Sequence, residues 1–266
     1  MKTRLVEVVC WLAVIAIPVV GGCGGKTSAA KDEFDRGEAA FRGGDFDLAI
    51  RSYTKAIEFN PRFAEAYYYR GWSYRFKGNF DKAIADYTEA IRLDRGLAAA
   101  FLDRGNCYRD RGDFSKALAD YNEAIRLNPR LSGAYIDRGL AYERTDNDKA
   151  IADYSAAIRL NPEDPVAYWS RGRANRRRGD NGTAIADCTE AIRLNPKFAE
   201  AYYGRGEAYQ ENGNWDKAIA DYNKAIVLDP NLASAYYNRG LAYEKKGEKA
   251  RAAADFERTR ELGFKP

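Results

Sequence analysis

Downstream of residue 30 the apolar positions recur at helical spacing, and the recurrence itself repeats. Tyr67, Gly71 and Tyr74 fall at i, i+4 and i+7, and Ala83, Tyr87 and Ala90 repeat that spacing after a break at Gly78-Asn79. Each such segment predicts two amphipathic helices with one apolar stripe apiece, joined by a glycine-bearing turn. Small residues at Gly71 and Ala83 let the two helices approach closely, and large rings fill the flanks. Pro61, Pro129, Pro162, Pro196 and Pro230 stop the second helix from running on into the next segment.

The segments tile the chain in one register: residues 30–63, 64–97, 98–131, 132–164, 165–198, 199–232 and 233–266, six of 34 residues and one of 33. Their eighth column reads Gly37, Gly71, Gly105, Gly139, Gly172, Gly206, Gly240. Their twentieth reads Ala49, Ala83, Ala117, Ala150, Ala184, Ala218, Ala252, once a one-residue deletion in the fourth unit is allowed for. A ring column follows at Tyr53, Tyr87, Tyr121, Tyr154, Tyr222 and Phe256. These columns resemble the tetratricopeptide repeat, and the resemblance runs from residue 30 to the end of the chain. It implies an all-α fold, a right-handed superhelical solenoid of seven helix-turn-helix units. One hairpin cannot bury both of its faces, so each unit depends on its neighbours. The second helices carry Ile50, Ile84, Leu118, Ile151, Ile185 and Ile219 in one column and Ile57, Ile91, Ile125, Ile158, Ile192 and Ile226 in another, where unit seven has Ala253 and Arg260. Unit one has Glu33 and Ala40 where later units keep rings. Both ends therefore read as caps, and a monomer is expected.

Two charged columns run through the repeat. Arg36, Arg70, Arg104, Arg138, Arg171, Arg205 and Arg239 occupy the seventh, and Ser52, Asp86, Asp120, Asp153, Asp187, Asp221 and Asp255 the twenty-third. As a ligand rail the arginines would be free; as a structural ladder each would pair with an aspartate, which an arginine at a partly buried site needs. Ser52 makes the second reading specific: pairing within a unit leaves Arg36 without a partner, and pairing to the next unit leaves Arg70.

The resemblance also implies that the first helices line a concave face, so recognition falls to their variable columns. Those columns hold Tyr68, Trp72 and Arg75 in unit two, Arg109 in unit three, Trp169, Arg173, Arg176 and Arg177 in unit five, and Tyr203 and Tyr237 in units six and seven. The unit-five residues fall at i, i+4, i+7 and i+8, hence on one helical face. An aromatic and cationic stripe of this kind suits an extended or helical segment with acidic and apolar side chains. As an exposed stripe, Arg173 and Arg176 could be exchanged for Glu with loss of capture and no loss of thermal stability. The lysine of the family's carboxylate clamp is missing from the fifth column. In unit five Asn175 and Cys188 stand where other units have rings, which predicts the weakest stacking near units four and five.

The first thirty residues have a different character. Lys2 and Arg4 precede an apolar run from Val8 to Val20, interrupted only by Pro18, and Gly21-Gly22-Cys23 follows. A run of this size matches a secretory core of about 7 to 15 residues and falls short of the roughly 20 a membrane span needs. Small residues directly before Cys23 resemble a bacterial lipobox. That likeness implies a signal peptide over residues 1–22, lipidation at Cys23, a tether over residues 23–29, and, with Gly24 rather than aspartate next, an outer-membrane address facing the periplasm. The alternative is an ordinary or uncleaved signal on a secreted or transmembrane-anchored scaffold. Cys107 and Cys188 lie two units apart and read as small buried hydrophobes without a disulfide.

Composition narrows the chemistry. There are 43 Lys and Arg, 39 Asp and Glu and no histidine, so imidazole metal sites, serine triads and cysteine–histidine pairs are excluded. No cofactor or metal is expected, and Asp and Glu fall in template columns or singly on surfaces, without a loop to build a cleft. A net charge of +4 with basic and acidic residues alternating along the second helices gives no footprint for nucleic acid. The expectation is a non-enzymatic adaptor that binds proteins or peptides and attaches to a membrane through its lipid.

Overall fold

The computed structural model describes residues 26–264. Among them are fourteen α-helices and no strand: α1 Lys26–Arg42, α2 Phe46–Phe59, α3 Ala64–Phe76, α4 Phe80–Leu93, α5 Ala98–Asp110, α6 Phe114–Leu127, α7 Ser132–Tyr142, α8 Asn147–Leu160, α9 Pro165–Arg177, α10 Asn181–Leu194, α11 Ala199–Glu211, α12 Trp215–Leu228, α13 Ala233–Lys245 and α14 Lys249–Glu261. From unit two onward every unit begins where the repeat register placed it. Unit one differs: α1 starts at Lys26, so the segment from Lys26 to Ala29, read as tether, is helical. Residues 1–22, read from the sequence as a signal peptide, and Cys23 lie outside the described residues.

Local chemistry explains the helix ends. Asp45, Asp113, Asp146, Asp180 and Asn214 each accept a backbone N–H of the second helix they precede, at 2.9 to 3.3 Å, which satisfies a donor the helix cannot pair internally. In most units the first helix stops at a left-handed glycine such as Gly78, with φ 75°. Unit four has lost that glycine with its deleted residue, and α7 ends early at Tyr142, after 11 residues against the usual 13.

The ring column makes the core. Tyr53, Tyr87, Tyr121, Tyr154 and Tyr222 are fully buried, and each such ring contributes about 1.5–3 kcal/mol of apolar burial. The glycine column exists because those rings lie on it. A Cβ at Gly105 would stand 2.7 Å from Tyr121 Cε1, so only a bare backbone fits. Ile57, Ile158 and Ile226 share clusters with Ala66, Ala167 and Ala235 of the unit that follows, as the stacking requires. At the end of the stack Ala253 and Arg260 are exposed. There Gly263, at φ 72°, turns the chain so that the Phe264 ring meets Tyr237 with centroids 5.8 Å apart.

The charged columns form a ladder within units. Arg70 donates through Nε and Nη2 to both oxygens of Asp86, at 2.8 and 2.7 Å. The same two-pronged pairing joins Arg104 to Asp120, Arg138 to Asp153, Arg171 to Asp187, Arg205 to Asp221 and Arg239 to Asp255. Arg36, opposite Ser52, has only Glu33 at 3.9 Å. The remaining guanidinium nitrogen of each paired arginine donates back to Thr54, Thr88, Asn122, Ser155, Thr189 or Asn223 of the preceding unit. The ladder thus closes each hairpin and ties it to its neighbour, which leaves no free rail for a ligand. A second, exposed ladder runs along the turns: Lys77 to Asp47, Arg111 to Asp81, Arg178 to Asp148 and Lys246 to Asp216. Where Thr145 and Asn212 replace the cation, Ser115 and Gly182 replace the acid.

Candidate functional site

First helices of successive units touch one another, from α1 against α3 to α11 against α13, whereas second helices meet no second helix among the described residues. The stack therefore curves toward its first helices, and they form the inner wall. What that wall carries changes along its length.

At units one and two it is aromatic, and the rings run on to the turn edge of the wall, where α3 ends at Phe76 and α2 begins at Phe46. Phe41 lies parallel to Trp72 with centroids 5.2 Å apart, and Phe46 parallel to Phe76 at 5.1 Å. Phe41 and Trp72 also present edges to Phe76, and Tyr68 stacks on Trp72 at 6.2 Å. Phe76 stays 38 % exposed, and none of the four central rings is fully covered. Offset and edge contacts of this kind hold rings rigid while leaving their outer faces available. Beneath them Tyr68 donates its hydroxyl to Asp103 at 2.8 Å, and Arg75 reaches the same carboxylate at 3.1 Å. Burial raises the Asp103 pKa above the usual carboxylate range against the opposing pull of Arg75 and Tyr68.

At units three to six the wall is ionic. Arg109 pairs with Asp137 at 2.5 Å and with Asp110. Trp169, Arg173, Arg176 and Arg177 share one face of α9, as their spacing implies, but the arginines diverge. Arg173 and Arg177 both reach Glu143 of unit four, at 2.6 and 2.5 Å, and Arg176 reaches Glu207 and Glu211 of unit six, at 3.2 and 2.5 Å. Glu143 also accepts the Tyr154 hydroxyl at 2.7 Å. Burial would raise its pKa, but Tyr154, Arg173 and Arg177 outweigh that and hold it below the usual value. Glu207 shows the reverse balance: burial raises its pKa and Arg176 only partly opposes this. The exposed cationic stripe expected at unit five is thus an ion-pair bridge across three units.

Trp169 is likewise engaged. Its indole donates to the Glu200 carbonyl at 3.1 Å, lies 5.6 Å from the Phe198 ring, and carries the Arg173 guanidinium 4.5 Å above it. It also closes the space beside Cys188, since a Cβ on Gly204 would meet both Cys188 Sγ and the indole within 3.6 Å. Asn175 is buried, and its side-chain oxygen accepts from Arg178 at 3.1 Å. The two missing rings of unit five are therefore partly replaced. Farther on, Tyr203 packs on Tyr222 and accepts Asn238 Nδ2 at 3.0 Å, and Tyr237 packs on Phe256.

Of the variable-column residues, Tyr68 and Trp72 fall in this aromatic cluster, and Phe41 and Phe46 beside them were not singled out from the sequence. Phe41 sits in the column that holds Arg75, Arg109 and Arg176 in later units, so a column-by-column reading of unit one would have found it. The carboxylate partners were missed too, although Arg75 to Asp103 and Arg109 to Asp137 share a sequence offset of 28.

Little on this wall can do covalent chemistry. Cys107 and Cys188 are free thiols, both buried, and burial pushes each pKa up to about 12, so neither is a thiolate nucleophile at neutral pH. Among the described residues no three acidic or sulfur side chains group as a metal site. One surface cleft of about 330 Å³ is lined by Glu143, Asn147, Asp148, Arg177 and Arg178, where Asn147 stands in place of the ring found at Phe46, Phe80 and Phe114.

Comparison with known proteins agrees with this architecture. Family models described as TPR repeat match residues 142–177, 172–213 and 211–247, and models described as tetratricopeptide repeat match residues 34–98, 98–131 and 234–262. No curated protein matches the chain. Among solved structures, the MamA protein is similar at 31 % identity with a TM-score of 0.54, over 62 % of this chain and 91 % of that one. A tetratricopeptide repeat protein from Parabacteroides merdae is similar in fold at 24 % identity with a TM-score of 0.71, over 89 % of this chain and 94 % of that one. PilW, a type IV pilus biogenesis factor, shares the fold at 17 % identity with a TM-score of 0.69, over 76 % of this chain and 94 % of that one. With the repeat register, the glycine-on-ring packing and the family models in agreement over most of its length, the chain belongs to the tetratricopeptide repeat family.

Proposed function

We propose that this chain is a non-catalytic scaffold that captures a protein or peptide segment on its inner wall while a lipid on Cys23 holds it at a bacterial envelope membrane, the outer membrane facing the periplasm. The observation that carries the capture surface is the contrast within the wall. The template columns are consumed by core and ladder, Arg109, Arg173, Arg176 and Arg177 are paired with carboxylates, and the Phe41, Phe46, Trp72 and Phe76 rings keep uncovered faces. Rings so placed favour an apolar or aromatic segment, whereas an acidic one at unit five has to displace Glu143 or Glu207 from its arginine. The anchoring rests on Gly21-Gly22-Cys23 after the apolar run. The alternative without lipidation, a secreted or transmembrane-anchored scaffold, keeps the same capture surface.

Affinity purification of the full chain from solubilised envelopes tests the reading. The wild type should retain a discrete partner that the Phe76→Ser chain loses, and globomycin should block processing at Cys23. Retention unchanged by Phe76→Ser removes the capture surface; processing indifferent to globomycin removes the lipid.

A further inference from the structure

The position of the anchor relative to the fold has a consequence for how the scaffold is held. With α1 beginning at Lys26, only Gly24 and Gly25 separate the helix from Cys23 in the sequence, a reach of at most about 10 Å at roughly 3.5 Å per residue. The start of α1 lies on the edge where second helices end and the chain passes from one unit to the next. In unit one that edge carries Phe59, Asn60, Pro61 and Arg62, about 10 Å from α1 by ordinary helix packing. Phe59, the last residue of α2, is 42 % exposed. The same edge holds Leu160 at the end of α8, Val166 at the start of α9 and Val227 at the end of α12, at 39, 40 and 72 % exposure. Phe76, at the opposite edge, is the remaining exposed large hydrophobic among the described residues.

We propose that the inter-unit edge of unit one, with Phe59 and Arg62 at its tip, rests on the lipid surface that holds the chain; this depends on the anchoring at Cys23 proposed above. A ring at the headgroup level beside an arginine that reaches phosphate suits such a surface. Glu58 and Glu65 share the edge with Arg62, so the contact is set by the short tether and the apolar ring rather than by net charge. The helices of unit one then stand upright on the bilayer. Phe41, fifteen residues along α1, is carried about 22 Å outward at 1.5 Å per residue, and the aromatic patch faces away from the membrane, open to an incoming partner.

Introduced single cysteines test this, because the native Cys107 and Cys188 are buried and leave labelling to the new site. Arg62→Cys and Arg42→Cys chains, labelled with a fluorophore, are reconstituted in phosphatidylethanolamine and phosphatidylglycerol vesicles doped with a nitroxide lipid, and the mass of the N-terminal peptide is measured. The label at 62 should be quenched at least about threefold more than the label at 42, as contact with the interface requires. Equal or reversed quenching on a lipidated chain overturns the orientation and leaves the anchoring intact. An N-terminal peptide without lipid overturns the anchoring and this inference together.

Discussion

Units one and two and units four to six are built on the same template, yet their inner walls are spent differently. In the first pair the variable columns hold rings that stack on one another and keep a face toward solvent. In the second they hold arginines whose charge is taken up by Glu143, Glu207 and Glu211 of adjoining units. A residue type that looks like a binding group along one helix can therefore be a strut between helices. What decides is whether the next unit supplies a counter-charge.

The largest break in that comparison is charge reversal at unit five. The Arg173→Glu, Arg176→Glu double variant sets carboxylates against Glu143 and Glu207 and should lose about 4 kcal/mol, near 10 °C in melting temperature. The expectation that such a change would spare stability no longer holds, and a melting temperature equal to wild type would restore it. Next comes the glycine column. Gly105→Ala drives a Cβ to 2.7 Å from the Tyr121 ring, while Gly172→Ala meets Asp187 Cβ at 3.1 Å and the smaller Cys188 at 3.2 Å. Overpacking should cost about 2–3 kcal/mol at the former and about 1 at the latter, read by denaturant midpoints; equal costs would mean that the ring does not set the column.

Acid should separate the regions by a smaller amount. The Glu143 pKa is held below its ordinary 4.5, so its contribution is complete above that value and is lost as pH falls through the folded one. Glu207 lies above its ordinary 4.5, so its share is complete below that value and is lost as pH rises through the folded one. Wild type should therefore lose about 1 kcal/mol more than Glu143→Gln on going from about pH 6 to pH 3. Parallel stability curves would show that Glu143 holds nothing together. The smallest effect is on stability itself at the aromatic end: Phe76→Ser should cost under about 1 kcal/mol, because the ring is already partly in water.

Much of this was legible along the chain. A register read from glycine and alanine placed the starts of six units, and Ser52 opposite Arg36 made the two possible pairings distinguishable, while the choice between them came from the Arg70–Asp86 geometry. The inner-wall bridges were not legible in the same way. Arg173 and Arg177 converge on Glu143 from 30 and 34 residues away, and that geometry depends on how units stack and on the deletion that shortens α7. Phe41 and Phe46 were obscured because unit one reads as a cap through Glu33 and Ala40, although its other face takes part in the wall. The helical start at Lys26 lies upstream of the repeat, where no column repeats to mark it.

The account turns on the inner wall of units one and two being the surface that meets a partner. Its most direct test is photo-crosslinking in intact cells, with a photoreactive residue at position 76 in one chain and at position 177 in another. A discrete adduct from 76 and little from 177 is the predicted result; adducts mainly from 177, or none from 76, would contradict it.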